Sequence, residues 1–168
     1  MGDELSLKPT DDGWGAALTG STVFGDKVVA AARTWIGTPY QHQMSCKGAG
    51  SDCLGLVRGV WRDVLGAEPV PIPAYTYDWS EVSKAEVLWN SARQVLQDVD
   101  TETPLAPGQV LLFRMRKTAV AKHLGILATA GQTPRFIHAY ARHGVVETSF
   151  SAPWQRALAA RFTFPLHA

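Results

Sequence analysis

The chain predicts an α+β domain, on three observations. The stretches of helical periodicity fall within the first hundred residues, short apolar runs separated by turns follow, and the change falls at Pro107-Gly108. Helices gathered ahead of strands are the opposite of the alternation that builds a parallel α/β sheet. A length of 168 residues with 46% hydrophobic content supports one core and not two. The expected organisation is a polar N-terminal arm over residues 1–25 followed by one domain over 26–168.

Residues 1–25 carry the turn-forming Asp11-Asp12-Gly13 and a lone Trp14 and read as an extension outside the core. Asp26 is placed to cap a helix over 27–36, with Val28, Val29, Ala32 and Trp35 or Ile36 near one face. Gly37-Thr38-Pro39 ends that helix, because glycine closes helices and proline cannot continue them. The loop from Tyr40 to Ser51 leads into a second helix over 53–65, which buries Leu56, Val57, Val60 and Val64 and stops at Gly66. A connection rich in proline (Pro69, Pro71, Pro73) carries Tyr75, Tyr77 and Trp79. Helical periodicity returns over 81–99 through Val82, Val87, Leu88, Val95 and Leu96. Expected strands are 109–115, 122–129, 135–140, 145–148 and 159–164, about five in an antiparallel sheet.

Composition narrows the function. The formal charge is +1 with charges interspersed, which argues against nucleic acid, whose phosphates need a basic face. No apolar run is long enough to span a membrane. The N-terminal segment Met1-Gly2-Asp3-Glu4-Leu5-Ser6 lacks the basic start and apolar core of a secretory signal. The expectation is synthesis in a cytoplasm, with delivery to any external substrate by another route. Two cysteines, Cys46 and Cys53, are too few for a disulfide framework and match no common zinc spacing. Both are expected to be reduced, and no metal or cofactor is expected.

Asp52-Cys53-Leu54-Gly55-Leu56-Val57 carries the chemistry. It sets a cysteine at a helix start, just after the glycine-rich Lys47-Gly48-Ala49-Gly50-Ser51. Unpaired N–H groups and the positive end of the helix dipole gather there. They favour a thiolate and can stabilise the oxyanion that forms when it attacks a carbonyl. Asp52 is a candidate cap for the same helix, and a carboxylate there works against thiolate formation.

Two histidines lie on adjacent expected strands. A hairpin centred near Ala130-Gly131 pairs His123 with His138 on one sheet face, about 5 Å apart at Cβ. Gly125 and Phe136 share that face, and Leu124, Ile126 and Ile137 take the other. A cysteine site needs an imidazole to accept the thiol proton and a third group to orient that imidazole. His123 fits the first role and His138 the second, provided that their face packs against the start of the cysteine helix. His143 competes for the third role from a turn five residues on. His42 is a loop residue near the nucleophile, and His167 belongs to the tail. Arg58, Arg62 and Asp63 read as a solvated helix face.

Together, Asp52-Cys53-Leu54-Gly55-Leu56-Val57, His123-Leu124-Gly125-Ile126 and Phe136-Ile137-His138-Ala139 resemble the motifs of the NlpC-type cell-wall cysteine peptidases. The lead-in Trp35-Ile36-Gly37-Thr38-Pro39-Tyr40 is similar to that family's as well, and the resemblance covers about residues 26–165. It implies a circularly rearranged papain-like fold, with the cysteine helix packed on an antiparallel sheet. It implies cleavage of peptidoglycan stem peptides, typically between D-glutamate and a diamino acid. It carries over Cys53 as nucleophile, His123 as base and His138 as the third polar residue. Tyr40 would supply a donor to the oxyanion or substrate, and Asp52 would meet the stem-peptide amine. Leu54 departs from the family's usual serine, which bears on that amine contact. The longer form of the lead-in and cysteine helix resembles the branch found in tailed phages and gene transfer agents. The implied partners are other tail or baseplate proteins, and such a particle would carry the enzyme to the wall. Two other readings stand beside this one: an amidase or acyltransferase using the same machinery, and a largely structural baseplate adaptor.

Overall fold

The structure is a computed structural model that describes residues 13–72, 74–75 and 85–166, with side chains from residue 22 onward. The first helix, α1, runs Gly13–Arg33. It therefore begins well before the expected start, and Asp26 lies inside it rather than capping it. No proline interrupts the stretch after Gly13, so nothing in the covalent chain stops the helix from extending back through Asp26. The side chain of Trp14, together with residues 73, 76–84 and 167–168, lies outside what is described; so do Tyr77, Trp79 and His167.

After α1, Gly37 takes a left-handed φ of 89° and turns the chain. The segment that follows is stitched to a distant strand: Gly37 N–H donates to the Val145 carbonyl, and Val145 N–H to that of Thr38. A small two-stranded sheet not foreseen in the sequence, β1 (Ser45–Cys46) with β2 (Gly50–Ser51), leads into α2, Cys53–Leu65. Then come α3 (Val87–Val95), β3 (Gln97–Asp98), β4 (Val110–Phe113), β5 (His123–Thr129), β6 (Arg135–Tyr140) and β7 (Gly144–Ser149). The chain closes with α4 (Ala152–Ala157) and β8 (Leu158–Thr163). The helix expected over 81–99 is shorter, since Leu96 is already extended and the chain passes at once into β3.

The main sheet has six strands in the order β3-β8-β4-β5-β6-β7, antiparallel throughout. One face is covered by helices. Val28, Ala32 and Trp35, followed by Leu56, Val57 and Val60 of α2, pack there on Leu124, Ile126, Ile137 and Ala139. Close packing of the helical layer needs Gly59: a Cβ there would stand 2.0 Å from the Trp35 indole. The second face carries a smaller core of Leu111, Phe113, Leu127, Phe136 and Phe150, with Trp154 of α4 against it.

The β5–β6 register differs from expectation by two residues. Ile126 stands opposite Ile137 and Leu127 opposite Phe136, with a bulge before Thr129. A two-residue slip leaves every side chain on its original face, so His123 and His138 still share one. They are diagonal neighbours rather than a direct pair. The face itself is the correction: His123 and His138 lie with Phe113, Phe136 and Trp154, and α2 covers the other side. The reason is burial. The apolar stripe of α2 packs on Leu124, Ile126, Ile137 and Ala139, while the histidine face buries Phe113, Leu127 and Phe136 against Phe150 and Trp154.

Candidate active site

The cysteine meets the sheet through the backbone on either side of His123. Cys53 Sγ lies 3.8 Å from the Lys122 carbonyl oxygen, and the Leu124 N–H also interacts with the sulfur. The thiol is half-buried, whereas Cys46 is exposed; both are free. Burial pushes the Cys53 thiol up to about 12, and the Asp52 carboxylate adds to the rise. The backbone N–H groups of Leu124, Leu54 and Cys53 act in the opposite direction. Desolvation and one carboxylate therefore outweigh the helix start, and the expected lowering does not occur in the resting site.

Asp52 is the hub of the surrounding loop. It is 2% exposed and caps α2, its Oδ1 accepting from Gly55 N–H at 2.7 Å. Its Oδ2 accepts from Gln43 N–H at 2.7 Å and from the Tyr75 hydroxyl at 2.5 Å. His42 Nδ1 approaches the same oxygen at 3.5 Å. Burial, followed by the hydrogen bond to Asp52, raises the Tyr75 hydroxyl far above its ordinary range. The Tyr75 carbonyl is held in turn by His42 Nε2 at 3.0 Å and by the Gln43 amide. Gly55 permits this closeness, since a Cβ there would strike the Met44 carbonyl oxygen at 1.9 Å. Gln43 sits at a left-handed φ of 63°, which a non-glycine residue adopts only under such constraint.

His123 Nε2 and His138 Nδ1 share a hydrogen bond of 2.8 Å. Burial lowers His123 to about 3, with the neighbouring His138 contributing. Burial likewise lowers His138 to about 4, with His143 contributing. Both rings are neutral at pH 7. Trp154 lies against them, its ring centroid 5.5 Å from His123 and 5.1 Å from His138. His143 is exposed and stacks on Tyr140 instead of joining the pair.

Of the residues singled out in the sequence, Cys53 and Asp52 meet at the start of α2, and His123 and His138 are hydrogen-bonded to each other. Tyr40 is half-buried, pairs through its backbone with Ser51, and packs on the helical core. Arg62 is not merely solvated: it reaches the Ser45 carbonyl and hydroxyl at 2.7 Å and pairs with Glu68, as Arg58 does. Sequence reasoning missed the site roles of Tyr75, Gln43 and Thr148. The proline-rich context of Tyr75 gives no periodic signal. Thr148, by contrast, falls on the histidine face by simple strand alternation. Among the described residues no cluster of three or more His, Cys, Asp or Glu could hold a metal ion. No described helix is long and apolar enough to cross a membrane.

The sequence model described as "NlpC/P60 family" matches residues 37–162 of the chain. The chain belongs to the NlpC/P60 family. Solved structures agree on the fold. An NlpC/P60 family protein from Bacillus cereus is 18% identical, with a TM-score of 0.57 over 83% of this chain and 40% of its own. The NlpC/P60 domain of the peptidoglycan hydrolase SagA is 22% identical, with a TM-score of 0.54 over 83% of this chain and 98% of that domain. A protein from Staphylococcus aureus described as similar to a lipoprotein of the family is 18% identical, with a TM-score of 0.53 over 96% of this chain and 45% of its own. This chain thus spans less than half of the Bacillus and Staphylococcus proteins and nearly all of the SagA domain. Comparison with curated proteins gives no match. The α+β architecture is the NlpC/P60 papain-like fold, and members of the family are cysteine peptidases or hydrolases.

Proposed function

We propose that the protein is a cysteine endopeptidase that cleaves peptidoglycan stem peptides, at the bond between D-glutamate and a diamino acid. One observation carries the reading. Cys53 starts a helix and touches the backbone on both sides of His123, while His123 is hydrogen-bonded through Nε2 to His138. In this reading Cys53 is the nucleophile, His123 the base and His138 the orienting group, with the thiol meeting the His123 backbone at one end of β5.

In this reading the resting site is a neutral thiol beside a neutral imidazole. The thiol proton moves to His123 Nδ1, the nitrogen that His138 does not engage, as sulfur attacks the scissile carbonyl. The Cys53 and Leu54 N–H groups face the sulfur and are placed to stabilise the oxyanion. His123 then protonates the leaving amine, and water attacks the thioester with the same imidazole as base. Asp52 and Tyr40 shape the substrate side, Asp52 by anchoring the Gln43–Tyr75 wall. Leu54 points to an apolar environment where a serine hydroxyl would otherwise stand. It lines a cavity of about 150 Å³ with Val57, Trp61, Ile72, Leu88 and Leu124. A synthetic peptide with a γ-D-glutamyl–diamino acid bond tests the reading: two fragments should appear, dependent on Cys53. With sacculi as substrate, release of the intact stem peptide from its sugar would instead make the protein an amidase.

The adaptor reading draws on the burial and the neighbouring Asp52 carboxylate, which both raise the Cys53 thiol, and predicts no turnover of that peptide. We further propose that the protein travels in a phage-like tail or baseplate. The resemblance of residues 37–43 and 52–61 to the branch found in tailed phages and gene transfer agents supports this, and co-purification with particles tests it.

A further inference from the structure

His138 has a second polar partner. While its Nδ1 faces His123, its Nε2 lies 3.3 Å from the Thr148 hydroxyl. Thr148 stands opposite Phe136 in the β6–β7 ladder, which puts it diagonally beside His138 on the histidine face. The ring neighbours of the pair are Phe113, Phe136, Tyr140 and Trp154, with His143 stacked on Tyr140. Thr148 is half-buried, so its hydroxyl proton can reach water while a lone pair stays on His138.

A neutral imidazole has one N–H and one accepting nitrogen, so in two hydrogen-bonded rings the position of one proton dictates the other. If His123 is to take a proton on Nδ1, its own N–H must sit on Nε2. His138 Nδ1 must then accept, its proton must sit on Nε2, and that N–H needs an acceptor. We propose that Thr148 is a positioning residue: by accepting from His138 Nε2–H it fixes the tautomers of both histidines and keeps His123 Nδ1 open for the thiol proton. The proposal rests on the Cys53–His123–His138 reading. With the hydroxyl as donor, both rings would carry the proton on Nδ1, and His123 could not act as base.

Histidine-labelled protein, observed by long-range proton–nitrogen NMR at pH 7.5, decides between the two arrangements. Both rings should be Nε2–H in the wild type; an Nδ1–H form of either ring overturns the proposal. Thr148→Val should populate the Nδ1–H forms and lower kcat roughly tenfold at unchanged KM, the worth of about one hydrogen bond. Thr148→Ser should restore both readouts. Unchanged tautomers in Thr148→Val would also overturn it. A wild type that cleaves no stem peptide yet shows two Nε2–H rings refutes the peptidase reading and supports the Thr148 assignment.

Discussion

Acid should destabilise this fold in a window set by its buried histidine pair. In the folded protein His123 and His138 titrate near 3 and 4, because burial disfavours their charged forms. An unfolded histidine titrates near about 6.5. Between those limits the unfolded chain binds protons that the folded chain refuses, so stability rises with pH. It is fully present above about pH 6.5 and is lost as pH falls toward 4. Each pH unit removes about 1.4 kcal/mol per histidine. From pH 6.5 to 5 the loss is about 2 kcal/mol for one ring and at most about 4 kcal/mol for both, since they share a hydrogen bond. That is a large part of a typical 5–15 kcal/mol total. Urea unfolding at pH 7, 6 and 5 measures it, before most carboxylates begin to titrate. His138→Asn should roughly halve the slope. Stability that is flat or rising between pH 6.5 and 5 would refute the claim that both rings are buried and neutral.

Other consequences follow from the same geometry. Exposed Cys46 should react first with iodoacetamide, and Cys53 only as pH rises well beyond 8.5; Asp52→Asn should speed Cys53 labelling by removing a nearby negative charge. The same substitution turns one oxygen that now accepts two or more hydrogen bonds into an amide and should cost about 1–3 kcal/mol in chemical unfolding. Gly59→Ala drives a methyl into the Trp35 indole and should cost about 1–3 kcal/mol, read as a lowered Tm. Leu54→Ser should cost about 1–2 kcal/mol by enlarging the apolar cavity beside α2, and comparing its kcat/KM on peptides with and without a free amine tests the substrate contact of that position.

What was legible in the sequence followed period and punctuation. The cysteine helix, the five strands from β4 to β8 and the shared histidine face come from residue spacing alone. The register between β5 and β6 was not legible: the turn is centred later than Ala130-Gly131, and a bulge shifts the pairing by one residue between Thr129↔Arg135 and Leu127↔Phe136, neither of which residue spacing reveals. The short α4 escaped notice, although Pro153 in its first turn is the residue a helix start tolerates. Which face the helices cover was a question of tertiary burial: Leu124, Ile126 and Ile137 match the stripe of α2, and no local signal ranks that above the pull of Cys53 toward His123. The elevated thiol had the same origin, since burial and the Asp52 carboxylate outweigh the helix start only once the site is folded.

Digestion of purified sacculi by the wild type beside Cys53→Ala, under reducing conditions with fragments read by mass, tests the central claim most directly. The account predicts fragments cut within the stem peptide, present with the wild type and absent with Cys53→Ala. Equal release by both proteins, or none from the wild type while a known peptidase digests the same sacculi, would contradict Cys53 as the nucleophile of a wall peptidase.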